Sequence, residues 1–595
     1  MVMRILVFIL SFLVMMASVS AEEPGKEVYE IACANCHENE ALRAPNLSSL
    51  MLVGREGLIS SLKTGSMRDI GKTLEDEEFV SLINFLTSTN NKSVQYASER
   101  YCDYSISENS SPLWSGWGNS LNNTRNQSFS RISKSNVNQL KLNWVFGFKD
   151  SVRVRSQPLV TEDALFVGSQ SGDLYALSLR DGCIFWSYKA KNEIRGAIIL
   201  SENKKSIFFS DFAANIYRLN IKTGDQEWIK NIAEHQATTI TGSMTTAKKL
   251  LFVPLSSTEI INAIDPEYSC CSFRGGVAAL DTQTGNMVWR MHTVPEAEKT
   301  IRNSVGTQML GPSGAPVWST PTIDLKRKLI YVGVGQNYSH PATDMSDAVV
   351  AIRISDGEVV WHKQMLKGDV WNASCVTNKI NCPGNVGPDM DIGASILLTS
   401  SRDNQELLMV GQKSGMVYAL NPDKAGEIVW QRRVGRGGKK GGVHWGMTAD
   451  SDNLYVPVAD IPEDLDTSNE AMPGLHALAL SDGQYKWYKS SKPVCEEKEF
   501  KCYSSYSAAV SSTIDMVIAG SMNGNIEIFS SNDGSEIWSY ETAKPFETIN
   551  NVSANGGSID SDGPVVAGEY LITTSGYDIY GQITGNVLLV FTLED

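Results

Sequence analysis

Cys33, Cys36 and His37 stand together in the stretch Cys33-Ala34-Asn35-Cys36-His37. Two thiols at this spacing, with an imidazole beside the second, form the attachment signature of a c-type haem. The thiols make thioethers to the porphyrin and the histidine supplies an axial ligand. A thioether from Met67, in Leu62-Lys63-Thr64-Gly65-Ser66-Met67, can take the opposite axial position and raise the potential. Met51 is the competing methionine. A haem implies one-electron chemistry, so the remainder of the chain is expected to make or take electrons.

The elements around this motif bound the setting. Arg4 starts a leader, Ile5 to Met16 form its apolar core, and Val19-Ser20-Ala21 is a small-residue cleavage site. This reads as a signal peptide over 1–21, cut after Ala21, because the apolar run is too short to span a bilayer. No later stretch has the length of a transmembrane segment. The formal net charge is −15 over 595 residues. So acidic a chain disfavours a nucleic-acid or anionic-membrane partner. Ten cysteines fit an oxidising compartment. With two assigned to haem, Cys375/Cys382 and Cys495/Cys502 each span a short loop and Cys270/Cys271 are adjacent, which leaves Cys102/Cys183 by elimination. Export, disulfides and a covalent haem point to a bacterial periplasm.

Residues 22–92 read as a small all-α cytochrome c domain. Glu27 to Ala34 leads helically into the haem motif, and Asp76 to Leu86 has helical spacing and packs over the haem. Residues 93–111 form a linker. From residue 112 the composition shifts to Gly, Ser, Asp, aromatics and short β-rich runs. Seven Gly-x-x-x-Trp signatures end at Trp186, Trp228, Trp289, Trp361, Trp430, Trp487 and Trp538, spaced 42 to 72 residues apart. Each is a strand, a tight glycine turn and a Trp-bearing strand, which suits one four-stranded propeller blade per repeat. Asn586 to Phe591 supplies a first strand without its Trp partner, and Leu140 to Trp144 a Trp strand without its first. Joining them closes an eighth blade and removes the open edges. The expected fold of 112–595 is thus an all-β eight-bladed β-propeller, with these tryptophans as packing between blades.

The Trp-docked repeats resemble the pyrroloquinoline-quinone (PQQ) alcohol dehydrogenases over 112–595. Several stretches are similar to the cytochrome-linked polyvinyl alcohol dehydrogenases within that family. They are Cys270-Cys271-Ser272-Phe273-Arg274-Gly275, Gly311-Pro312-Ser313-Gly314, Gly387 to Ala394, His444-Trp445-Gly446-Met447 and Gly585-Asn586-Val587-Leu588-Leu589. The resemblance implies PQQ, a planar tricarboxylate quinone, polarised by a bound divalent cation. It places metal ligands at Glu259 and Asn337, whose hard oxygens suit Ca²⁺. It places the floor under the quinone at Trp318, cofactor donors at Arg195, Thr241 and Ser256, and a cation near the quinone oxygens at Lys413. Many relatives carry the catalytic Asp directly after Trp, as Trp-Asp-x-Asp, whereas this chain has Asp369-Val370-Trp371-Asn372. An insertion closed by Cys375/Cys382 follows, then Asp389-Met390-Asp391. The shifted element makes Asp389 the general base and Asp391 a metal ligand or the support behind one, with Asp369 as the alternative base. The additional carboxylate leaves a lanthanide as the minor alternative to Ca²⁺. Cys270-Cys271 can close an eight-membered ring against the cofactor, or serve as a loop staple.

The implied activity is oxidation of an alcohol, secondary and polymeric such as polyvinyl alcohol, to a ketone. Electrons pass through the chain's own haem c to an external acceptor, a cytochrome or the respiratory chain. A quinohaemoprotein for small primary alcohols or polyols is the alternative enzyme. A non-enzymatic propeller scaffold of the cell envelope is the alternative without chemistry; it needs neither the haem nor Glu259, Asn337, Asp389 and Lys413.

Overall fold

The protein is described by a computed structural model covering residues 24–38, 44, 47–52, 55–63, 67–87, 100–107, 110–461, 469–491, 505–577 and 582–594. The leader and the Cys495/Cys502 pair lie outside the described residues. Among these residues no helix is long and apolar enough to cross a membrane.

Eight antiparallel sheets form the blades among the described residues, six of four strands and two of five. The middle strands, such as Ala164–Gly168 and Leu329–Gly333, are buried throughout, because each is covered by the blades on both faces. The outer strands, such as Ile184–Lys189, alternate buried and exposed residues. The eighth blade takes its three inner strands, Val565–Ala567, Tyr570–Ser575 and Val587–Leu593, from the C-terminal part of the chain. Its outer strand is Leu140–Gly147, in register with Val587–Leu593 from Leu140 opposite Leu593 to Gly147 opposite Val587. The seam therefore falls where the unmatched sequence halves placed it.

The Gly-x-x-x-Trp signature has a physical explanation. Trp186 of the first blade lies flat on Gly224 of the second, and a Cβ on Gly224 would fall 2.6 Å from the Trp186 ring. Gly224 also has φ +73°, which the tight turn requires and side-chain-bearing residues resist. The Trp186 indole N–H donates to the Ile221 carbonyl of the same neighbouring blade at 3.1 Å. The pattern recurs from Trp144 of the eighth blade to Leu179 of the first at 3.1 Å, from Trp289 to Ile354 at 3.0 Å and from Trp430 to Leu480 at 2.8 Å. Each tryptophan thus fastens its own blade to the next one. Trp538 faces the eighth blade, whose outer two strands come from opposite ends of the propeller and share no glycine turn. It packs edge-on against Phe591 instead, with centroids 5.6 Å apart.

The segment that enters the propeller is anchored to several blades at once through Arg125. Arg125 is wholly buried there. It donates to the Val510 carbonyl, to Gln157 Oε1 and to the Asp562 carbonyl, each at 2.9 Å. Trp114 and Trp117 flank its guanidinium at 5.3 and 5.1 Å.

The N-terminal unit is helical. Pro24–Ala32 crosses Asp76–Leu86 so closely that a Cβ on Gly25 would meet the Ser81 carbonyl oxygen at 2.0 Å. The last helix starts with a reciprocal capping box between Glu75 and Glu78. Tyr29, Cys33, Leu58, Leu82, Ile83 and Leu86 form the core of the unit, and Val152 of the propeller joins it. Cys102–Cys183 ties the incoming chain to the first blade, and Cys270–Cys271 and Cys375–Cys382 are also closed.

Candidate active site

The haem-motif residues occupy a helical turn. Cys33 caps the helix Ala34–His37, and both Cys33 and His37 are buried. No disulfide joins Cys33 to Cys36. Burial pushes the Cys33 thiol up to about 12 and raises Cys36 as well. Met51 and Met67 both pack against the core that contains Cys33.

In the propeller, Arg195, Thr241 and Trp318 line one cavity, with Trp117, Ser243 and Trp445. Gly393 shapes its floor: a Cβ there would strike the Trp318 ring at 1.9 Å, so only glycine leaves the ring its place. Trp445 stands edge-on to Trp318 at 5.2 Å, and the Arg195 guanidinium lies over Trp445 at 5.1 Å. Arg195 Nε and Thr241 Oγ1 are buried without a protein hydrogen-bond partner. Buried donors left open around a flat aromatic floor suit a planar polyanion such as PQQ. Behind Arg195, Glu193 pairs with both Arg153 at 3.0 Å and Arg155 at 2.7 Å. Those two arginines keep the Glu193 carboxyl down at about 2. Burial and repulsion from Arg155 lower Arg195 itself to about 10.

An acidic cluster adjoins this floor, because Gly393 lies two residues beyond Asp391. Lys413 is fully buried, and its Nζ donates to Asp389 Oδ1 and to Asp391 Oδ2, both at 2.9 Å. Asp391 Oδ1 accepts from the Gln336 amide at 2.9 Å. Asp369 accepts from the Asp389 and Met390 amides at 3.0 and 2.8 Å, one on each oxygen. It is thereby locked beneath the turn that presents Asp389, which has φ +61°. Burial raises the Asp369 carboxyl. The insertion that separates Trp371 from Asp389 thus returns Asp389 to within hydrogen-bonding distance of Asp369.

Glu259 is completely buried at the start of the short helix Glu259–Asn262. Its carboxylate accepts from the Tyr268 hydroxyl and from the Ser272 and Phe273 amides, each at 2.8 Å. His235 Nε2 lies 3.4 Å away, and no lysine or arginine pairs with it among the described residues. A buried carboxyl met mainly by neutral donors offers the hard oxygens that suit a cation such as Ca²⁺. Asn337 Oδ1 accepts from the Thr343 amide at 2.8 Å, while its backbone bonds the Asp369 and Trp371 segment. Tyr338 lies in the combined field of Asp391, Glu259 and Asp389, and burial first, then those charges, raise its hydroxyl well above the ordinary range. Among the described residues no three His, Cys, Asp or Glu side chains gather as a metal shell. Ser256 lies opposite Thr239 in the strand pair beside the cavity, and neither it nor Cys270–Cys271 lines the space over Trp318.

One residue of the cluster was not singled out from sequence. Asp347 is wholly buried, and neither carboxylate oxygen has a hydrogen-bond partner. Burial and the neighbouring Asp369, Asp391 and Asp389 hold it well above the usual carboxylate range. Its only signal is an acid opening the apolar run Ala348-Val349-Val350.

The fold, the aromatic floor and the open donors define a PQQ-type dehydrogenase propeller, and comparison with known proteins agrees. The glucose/ethanol/alcohol dehydrogenase β-propeller family model matches residues 114–433. A cbb3-type cytochrome c oxidase subunit III model matches residues 20–86, and an outer membrane protein assembly factor BamB model matches 368–586. The chain belongs to the PQQ-dependent alcohol dehydrogenases. It is 33% identical to a polyvinyl alcohol dehydrogenase of Pseudomonas sp. over 98% of this chain and 96% of that protein. It is 32% identical to that of Sphingopyxis sp. (strain 113P3), over 96% and 93%. Among solved structures, quinohaemoprotein alcohol dehydrogenase ADH-IIG of Pseudomonas putida shares the fold at a TM-score of 0.60 and 19% identity, covering 81% of this chain and 80% of the other. A europium-containing methanol dehydrogenase shares it at 0.58 and 17%, covering 81% and 98%.

Proposed function

We propose that this PQQ-dependent alcohol dehydrogenase is a periplasmic enzyme that oxidises secondary alcohols, polymeric polyvinyl alcohol among them, to ketones. The substrate class rests on its similarity to polyvinyl alcohol dehydrogenases over nearly the whole chain. Bound PQQ supplies the two-electron acceptor for the alcohol carbon's hydride, and a hard divalent cation, Ca²⁺ in our reading, polarises it.

The chain's own residues do the rest. Arg195 and Thr241 hold cofactor carboxylates with the donors that the protein leaves open. Trp318 carries the flat face of the ring. Asp389 takes the alcohol hydroxyl proton. Lys413 aims Asp389, because its ammonium donates to the Asp389 carboxylate at 2.9 Å. Asp391 shares that ammonium and so supports Lys413; it is the support behind the base rather than a metal ligand. Glu259 and Asn337 offer the cation its oxygens. Asp369 fixes the Asp389 turn through two backbone amides. Cys33, Cys36, His37 and Met67 would hold haem c. Haem c bound there would supply one-electron transfer to an external cytochrome or respiratory carrier.

The observation that carries the reading is the one cavity shared by Arg195, Thr241 and Trp318, whose lining includes Gly393, two residues along the chain from Asp391. Purified protein given PQQ, Ca²⁺ and a secondary alcohol should reduce its own haem. Asp389→Asn should lower kcat about 10²–10⁴-fold, as for loss of a general base, with PQQ still bound. Asp369→Asn should lose far less. An Asp389→Asn enzyme as fast as the parent, with Asp369→Asn inactive, would transfer the role to Asp369.

A further inference from the structure

The haem-attachment stretch is seated on the propeller. Cys36 packs against a cluster built on Trp371 and Ile264, with Ile260, Ile261 and Val376 around it. This wall belongs to the site's own framework. Ile260 and Ile261 lie on the short helix that begins with Glu259. The Trp371 amide donates to the Asn337 carbonyl at 2.9 Å, two residues beyond Asp369. The next residue, Asn372, reaches Cys270 Sγ at 3.8 Å and donates to the Tyr338 carbonyl at 3.0 Å. Packed contacts and two covalently linked residues therefore connect the Cys270–Cys271 disulfide, through Asn372 and Trp371, to Cys36.

The wall is also stiff. The loop closed by Cys375–Cys382 carries Val376. Asn378 fastens it to the Ile264 carbonyl at 2.6 Å, and Asn381 fastens it to the Asp265 carbonyl at 2.7 Å. Trp371 is only 6% exposed, and its indole N–H, although buried, has no partner. The Lys439 ammonium lies over the Trp371 ring at 5.6 Å, so the indole is held by its faces and not by its N–H.

We infer that this wall is the electron exit of the site. The disulfide-closed loop serves as the docking platform for the haem unit, and Trp371 is the positioning residue that holds Cys36 against the framework of the active site. The inference rests on the alcohol oxidation proposed above. One alcohol gives up two electrons and two protons. The electrons are consumed by two successive reductions of haem iron from Fe(III) to Fe(II), with an external one-electron carrier reoxidising the iron between them. The protons leave to solvent. Electron tunnelling falls steeply with separation, so the contact matters through the distance it enforces.

Val376→Glu places a charge in the contact and leaves every residue of the proposed catalytic and binding machinery intact. In the full-length holoprotein, alcohol-driven haem reduction followed by absorbance should slow by about tenfold or more. Turnover with a small dye that accepts electrons in place of the haem should stay at the parental level, as should the haem midpoint potential. Backbone amides of Cys33–Glu38 should exchange hydrogen faster in Val376→Glu than in the parent. Val376→Leu should restore both readouts, and Ile261→Gln, across the contact, should reproduce the charge variant. Haem reduction at the parental rate in both charged or polar variants overturns the inference, and so does dye turnover that falls in step with it. Equal amide exchange in parent and Val376→Glu shows that no docking exists, whatever the substrate. A parent that reduces neither dye nor haem with any alcohol sinks the functional reading instead, and the exchange result still decides the docking.

Discussion

Arg195→Met separates what the guanidinium costs the empty protein from what it contributes once an anion arrives. Burial, with the like charge of Arg155 second, lowers Arg195 from 12.5 to about 10. A change of that size corresponds to roughly 3 kcal/mol of penalty on the charged form. The side chain is partly open to the cavity, and solvent there screens some of it. A remainder of about 1–2 kcal/mol is a fair reckoning. The sign follows from the lowered value: the penalty is present in full below about 10, and so at neutral pH, and disappears only as the side chain loses its proton. Methionine retains much of the packing on Trp445 and removes the charge. The cofactor-free variant should therefore melt no lower than the parent, and higher by on the order of a degree or two for a domain of this size. PQQ should behave in the opposite way. A charge-assisted hydrogen bond in a buried site contributes about 2–3 kcal/mol, so the dissociation constant should rise about 30–150-fold. Scanning fluorimetry of the cofactor-free proteins and calorimetric titration with PQQ, both at one ionic strength, measure the two effects. A variant that melts several degrees lower yet binds PQQ as tightly as the parent would refute the view that Arg195 is held in readiness for an anion.

Two further outcomes follow from the framework. Trp186→Ala empties the bed on Gly224 and loses the bond to Ile221; it should cost about 3–5 kcal/mol in chemical denaturation, and Trp186→Phe well under half of that. A loss below about 1 kcal/mol for the alanine variant would mean that the blades do not depend on the Trp–Gly contact. Asp562 is wholly buried, and burial raises its carboxyl to about 7. The folded protein then holds a proton that the unfolded chain releases near 4, so this group favours folding at acid pH and its contribution is lost as pH rises from about 4 to about 7. Asp562→Asn should thus be stabilised relative to the parent at pH 8, by up to about 4 kcal/mol, and nearly equal to it below pH 4. A difference independent of pH would refute the assignment.

The blades were legible because their signal is local. A strand, a glycine turn and a Trp strand lie within a dozen residues, and the same packing problem recurs at every blade junction. The seam was legible for the same reason, since Asn586 to Phe591 and Leu140 to Trp144 each lacked its other half. Cys102–Cys183 emerged from counting, and the structure closes it. The cavity was legible in part: Arg195, Thr241 and Trp318 meet there, while Ser256 and the Cys270–Cys271 ring stand back from it. What local sequence could not express is the charge arrangement. Lys413 meets Asp389 and Asp391 only because the fourth and fifth blades bring their loops together at the channel. Asp347 joins them from the start of another strand, and the Arg153–Glu193–Arg155 pairing spans two blades. Such partners are set by the curvature of the ring, which no linear spacing records.

The seam between Leu140–Gly147 and Val587–Leu593 sets the order in which this molecule can become itself. Until the final strand arrives, the blades can stack only as an open arc, with one bare tryptophan-lined flank and one naked sheet margin. The pieces of the cradle are present in that arc, but the curvature that brings opposite loops face to face is not. Loss of the strand Val587–Leu593 would therefore uncouple the ring at the same place where its closure completes it.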